Sequence, residues 1–135
     1  SPQSSVLSPQ SSVLSPQSYA IFPFMSEPRI DNYSEFWDFY VLEHSKPMTR
    51  YFHFVGTLLG MVMLVWFVGN GNFLYIPLCF VVGYAFAWFS HFFIEKNKPA
   101  TFKYPGWSFV SDYKMAWLMM TGRMEAEVER VISER

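Results

Sequence analysis

Between Phe52 and Ile94 the chain carries no Asp, Glu, Lys or Arg. A soluble domain rarely leaves so long a stretch uncharged, because charged side chains belong almost entirely to wetted surface. Basic residues are scarce as well: ten Lys and Arg against eleven Asp and Glu leave a net charge of −1. That balance builds no positive field for phosphates and excludes nucleic acid as an expected partner. The single cysteine, Cys79, permits no intrachain disulfide, and its place in the apolar run marks it as a core or lipid-facing residue. Nothing before Arg29 is basic. The start of the chain therefore lacks the charged n-region of a signal peptide and the arginines of a transit peptide. Histidine is almost absent too: His44, His53 and His91 are the full set.

What is present divides sharply by position. The chain opens on SPQSSVL twice and then SPQS, with Pro2, Pro9 and Pro16 interrupting any helix each time it could form. Residues 1–24 are expected to be a disordered low-complexity Ser/Pro/Gln extension, and 25–135 a single membrane domain. Within that domain SEFWDFYVLEHSKP reads as a helix, with Ser34 as N-cap, Glu35 in its first turn and Pro47 ending the pattern. Trp37, Tyr40, Val41 and His44 fall on one face, which suggests an amphipathic helix lying in the membrane interface.

Two apolar segments follow. Residues 52–68 would make a helix of about 26 Å and residues 73–94 one of about 33 Å, both long enough to cross a bilayer. GNGN, residues 69–72, is a tight uncharged turn between them. Lys46 and Arg50 precede the first span, while Lys96, Lys98 and Lys103 follow the second, so the positive-inside rule places both ends of the hairpin in the cytoplasm. Trp37, Trp66, Trp88 and Trp107 read as an aromatic belt. Beyond the hairpin, a helix capped by Ser108 or Ser111 runs through DYKMAWLMM and dips toward the interface, too polar for a third span. Gly122 interrupts it, and a short amphipathic helix closes along Met124, Val128 and Val131. The expected fold is an all-α membrane protein, a two-span transmembrane helical hairpin flanked by interfacial amphipathic helices.

The topology gathers the histidines. His53 opens one span and His91 closes the other, so antiparallel spans bring them to the same membrane face, with His44 just upstream. Glu95 lies one helical turn past His91 on the same side. Small residues let membrane helices approach closely, and Gly56 and Gly60 on the first span face Gly83, Ala87 and Ser90 on the second. The histidines then sit in that seam and not toward lipid. Three imidazoles and one carboxylate suit a single divalent ion. Two histidines and a carboxylate with open positions favour non-haem Fe(II), and three nitrogens also hold Zn(II). A bis-histidine haem would leave His44 and Glu95 idle, and with no metal the histidines would serve as hydrogen-bonding groups.

The stretches EHSKPMTRYFHFVGTLLG and GYAFAWFSHFFIEKNKPATFKYPGWSFVSDYKM resemble the Mpo1-like family, also known as DUF962, in its compact bacterial form. The pattern is His44, His53 and Gly56, then after the hairpin His91, Glu95 and Lys98-Pro99-Ala100, and the resemblance runs from about Asp31 to Arg123. Ser90 stands where many members carry Gly, and Thr49 where many carry Asn. The resemblance implies a protein of the bacterial inner membrane or the endoplasmic reticulum. Its yeast relative is an Fe(II)-dependent dioxygenase that shortens 2-hydroxy fatty acids by one carbon. On that analogy His44, His53 and His91 bind iron, and Glu95 is a further ligand or a base. Arg50 or Lys98 steadies the carboxylate of a fatty-acid-like substrate whose chain lies along the hairpin. The competing reading is a non-catalytic integral membrane subunit or adaptor. Its small-residue seam and terminal helices would bind a second copy or another membrane protein.

Overall fold

The computed structural model describes residues 28–135, so the low-complexity extension of residues 1–24 lies outside the described residues. The described residues form five α-helices and no strands: α1 Tyr33–Glu43, α2 Pro47–Gly69, α3 Ile76–Ser90, α4 Pro105–Met120 and α5 Met124–Ser133. A 3₁₀ turn, Phe73–Tyr75, leads into α3, and a π-helical turn, His91–Glu95, continues it.

α2 and the segment Phe73–Glu95 are the two helices long and apolar enough to cross a membrane. Only 17% of each apolar window is buried, which separates them from the core helices of a soluble protein. Val62, Val65 and Phe93 are all more than 60% exposed, a surface compatible with an apolar surrounding such as lipid. The expected seam is present. A Cβ added to Gly56 would lie 2.7 Å from Phe86 Cβ and 2.9 Å from the Gly83 carbonyl oxygen, and one on Gly60 would lie 3.0 Å from the Cys79 carbonyl oxygen. The two backbones therefore touch where side chains would have held them apart. At the far end α2 stops at Gly69, and Gly71 takes a positive φ of 71°, as the GNGN turn requires.

At the near end the hairpin is latched. The backbone N–H of Lys46, the N-cap of α2, donates to Glu95 Oε1 at 2.6 Å, and Lys46 Nζ donates to the Ile94 carbonyl at 2.8 Å. Each charge thus meets the helix terminus of opposite polarity.

The remaining helices form a small bundle over this end. Phe36, Trp37, Tyr40 and Val41 of α1 pack with Tyr104, with Met115 of α4 and with Met124, Val128 and Val131 of α5. α1 is therefore not a solitary interfacial helix: its apolar face is covered by α4 and α5. Its N-cap is Asn32, not Ser34, because the shorter reach from Asn32 Oδ1 satisfies the Glu35 N–H at 2.9 Å. α4 begins earlier than expected, at Pro105, whose missing N–H costs nothing in a first turn. Ser108 and Ser111 consequently lie inside the helix and buried, not at its cap. The aromatic belt shrinks as well. Trp37 is 3% exposed and donates its Nε1–H to Glu127, while Trp107 stacks on Tyr104; Trp66 and Trp88 stay exposed.

Candidate metal centre

His44, His53 and His91 meet, each buried, with ligand atoms within 4.8 Å of one another. They come from three places in the chain. His44 follows the last residue of α1, His53 lies two turns into α2, and His91 begins the π turn after α3. Nε2 of His53 is 3.1 Å from Nε2 of His44 and 3.1 Å from Nε2 of His91.

The other ring nitrogens fix the tautomers. His44 Nδ1 donates to the Tyr40 carbonyl at 2.6 Å, one turn back in α1. His53 Nδ1 donates to Asp112 Oδ1 at 3.2 Å. His91 Nδ1 donates to Asn97 Oδ1 at 2.7 Å, and the Asn97 amide is held in that orientation because its Nδ2 donates to the Glu43 carbonyl and carboxylate. A carbonyl, a carboxylate and an amide oxygen can only accept, so all three imidazoles keep their proton on Nδ1. Their three Nε2 lone pairs therefore converge with no proton among them. Burial and the two neighbouring imidazoles push His44 well below the ordinary histidine range, which keeps it neutral.

Behind the rings stands a second layer. Asp112 is 13% exposed and accepts from the Tyr40 hydroxyl as well as from His53. Burial raises its carboxyl to about 6, against the opposing pull of the Tyr40 hydrogen bond. Tyr40 also stacks on His44, with ring centroids 4.0 Å apart. A metal-binding histidine commonly donates its remote N–H to a carboxylate or carbonyl in this way, which holds the ring and raises its basicity. Two buried hydroxyls, Thr49 Oγ1 and Ser108 Oγ, have no hydrogen-bond partner among the described residues. Each sits one turn before a member of the cluster, His53 and Asp112 respectively.

Glu95 lies elsewhere. Its carboxylate accepts from Ser45 Oγ at 3.2 Å and from Lys46 N–H at 2.6 Å. In an α-helix, Glu95 would share a stripe with His91. The wider π turn rotates it off that stripe. The turn ends at Lys96 in the left-handed region, φ 59°, where the Asn97 N–H closes back onto the His91 carbonyl at 3.0 Å. Arg50 is buried, and its guanidinium is occupied by protein: Nη1 donates to the carbonyls of His44 and Ser45, and Nη2 pairs with Glu125 at 2.8 Å. Lys98 lies exposed beside Phe92, Phe93 and Lys96. A cleft opens at His53 between α2, α3 and α4, and neither cation lines it. Of the seam residues, Ala87 and Ser90 are buried, Ser90 Oγ donating to the Ala87 carbonyl.

Sequence reasoning missed Asp112 and Asn97. Asp112 carried a signal: it is the one acidic residue between Glu95 and Glu125, set inside a largely apolar helix. Asn97, in a polar loop, carried none.

The family model described as "Mpo1-like: 2-hydroxy-palmitic acid dioxygenase Mpo1-like" matches residues 30–124. No curated protein and no solved structure matches the chain.

Proposed function

The chain belongs to the Mpo1-like family, and from that premise we propose that it is a membrane-embedded Fe(II) dioxygenase acting on 2-hydroxy fatty acids. The observation that carries this reading is the convergence of three unprotonated Nε2 atoms, that of His53 lying 3.1 Å from each of the other two and all three within 4.8 Å of one another. Buried acceptors left facing one another cost about 1–3 kcal/mol each, and a cation among them removes that cost. A metal about 2 Å from each nitrogen spaces its ligand atoms about 3 Å apart, the separation of His53 Nε2 from each of the other two. The residues fit a metal, and His44, His53 and His91 would hold it. Three protein ligands leave further positions open, the pattern of a catalytic site and not a structural one.

A ferrous ion supplies the redox chemistry that links a 2-hydroxy acid to dioxygen. The overall reaction balances without an added reductant: the hydroxy acid and O₂ give the acid one carbon shorter, CO₂ and water. The hydroxy acid provides all four electrons. The protein's part is orientation and exclusion of water. Tyr40, Asp112 and Asn97 hold the three rings, Asp112 through His53 and Asn97 through His91. The Arg50 guanidinium fixes the carbonyls of His44 and Ser45, and with them the loop that presents His44. No Lys or Arg lines the cleft at His53, so a substrate head group there faces the imidazole and the half-buried Tyr84 and Tyr113. Glu95 keeps the hairpin ends together, which holds His91 level with His53. In the membrane both ends of the hairpin face the cytoplasm, and the bacterial inner membrane or endoplasmic reticulum is the site of action.

The test begins with protein purified in detergent under anaerobic conditions and supplied with Fe(II). Stoichiometric iron in the wild type, lost in His53→Ala and in His91→Ala, is expected. Conversion of 2-hydroxypalmitate to pentadecanoate follows the same pattern. A wild type that binds no metal would sink the proposal.

A further inference from the structure

A narrow cleft leaves the metal centre along the hairpin. His53 and Asp112 line one end. From there its lining turns apolar, past Gly56 and Gly60 to Leu64 and Cys79. The glycines that bring α2 against α3 also strip the slot's floor of side chains. The rings of Phe80 and Phe109, 6.0 Å apart, join α3 to α4 along it.

We propose that this cleft is the acyl-chain channel and that Leu64 sets the chain length it accepts. The inference rests on reading the centre as a site for 2-hydroxy acids and adds where the rest of the substrate lies. Only an amphiphile matches the lining, with polar groups at the metal end and none to satisfy at the other. His53 and Leu64 stand eleven residues apart on one helix, about 16 Å. An extended hydrocarbon advances about 1.25 Å per carbon, given C–C bonds near 1.5 Å, so the lining runs the length of about thirteen carbons beyond the head. Leu64 is the residue of α2 farthest from His53 along the lining. A larger side chain there shortens the slot and a smaller one lengthens it. Val65, on the same helix but 68% exposed and outside the lining, is the natural control.

The experiment uses iron-loaded full-length protein and a series from 2-hydroxydecanoic to 2-hydroxystearic acid. Leu64→Trp should lower kcat/KM for 2-hydroxypalmitate about tenfold relative to 2-hydroxydecanoate, since pocket fit at one side chain discriminates on that scale. Leu64→Ala should shift preference toward 2-hydroxystearate, and Val65→Trp should leave the profile unchanged. Retained turnover of the short acid shows that Leu64→Trp is folded. In parallel, a 2-hydroxy fatty acid bearing a diazirine near its methyl end is photolysed on the wild type and the label mapped. Label at Leu64, Cys79 or Phe80 supports the channel. Label on Val62 and Val65, or an unchanged length profile in both Leu64 variants, overturns it. Labelling inside the cleft without turnover of any hydroxy acid would leave the channel standing and remove the proposed oxidation instead.

Discussion

His53 and Asp112, 59 residues apart, share a hydrogen bond of 3.2 Å from imidazole Nδ1–H to carboxylate Oδ1. It joins α2, the first of the two long apolar helices, to α4 folded over it, behind the histidine cluster. In Asp112→Asn the shape is kept and the charge behind His53 is lost; in Asp112→Ala the acceptor is lost as well. Metal affinity should fall by about 10-fold in the first and about 100-fold in the second, the span usual for partners of metal-bound histidines. Competition with a chromophoric chelator measures this. The Asn variant should unfold at no lower temperature than the wild type, because it no longer buries a carboxylate.

The glycine seam predicts an order of sensitivities. An added methyl meets Phe86 Cβ and the Gly83 carbonyl closely at Gly56, the Cys79 carbonyl at Gly60, and only ordinary contact at Gly83, 3.5 Å from the Gly56 carbonyl oxygen. Gly56→Ala should destabilise most, by about 1–3 kcal/mol. Gly60→Ala should follow, and Gly83→Ala should cost least. Thermal unfolding in detergent ranks them, and a reversed order of Gly56 and Gly83 would contradict the packing described.

Lys96 is the one non-glycine residue with positive φ among the described residues. A side chain in that region costs about 1 kcal/mol that glycine does not incur. Lys96→Gly should therefore raise the unfolding midpoint, while Lys96→Val, β-branched, should lower it. Because Lys96 closes the turn that carries His91, the Val variant should also bind metal more weakly.

Arg130 and Trp37 both donate to the Glu127 carboxylate, and these hydrogen bonds hold it below its ordinary pKa of 4.5. A depressed folded-state pKa means that the stabilisation is present above about pH 4.5 and is lost as pH falls through the lower folded value. Glu127→Gln should flatten that acid limb while changing stability little at neutral pH, the pair being partly exposed. Unfolding midpoints measured at stepped pH compare the two proteins.

Much of this arrangement was legible in the residues. Absence of charge from Phe52 to Ile94 marked the hairpin. Antiparallel geometry then placed His53 level with His91, and the small residues at 56, 60 and 83 indicated which faces touch. Glu95 was read onto the same face because a regular α-helix puts residues i and i+4 together. Nothing in HFFIE announces the π turn that rotates it away. Arg50 read as a free cation because the acceptors that occupy it, two carbonyls and Glu125, gather only in the folded chain. Trp37 read as a membrane anchor because the surface covering it belongs to helices some 70 to 90 residues later in sequence.

The separations between the histidines also set how much of the fold each contact requires. His44 and His53 are 9 residues apart and need only a short loop to meet; His53 and His91 are 38 apart and require the closed hairpin. Asp112 must wait for α4 to fold back from still farther along the chain. Loop closure grows costlier with length, and a complete set of ring contacts exists only once every segment has arrived. Occupancy of the proposed metal site would therefore report finished tertiary structure, since a misthreaded copy presents at most a fragment of the ligand set.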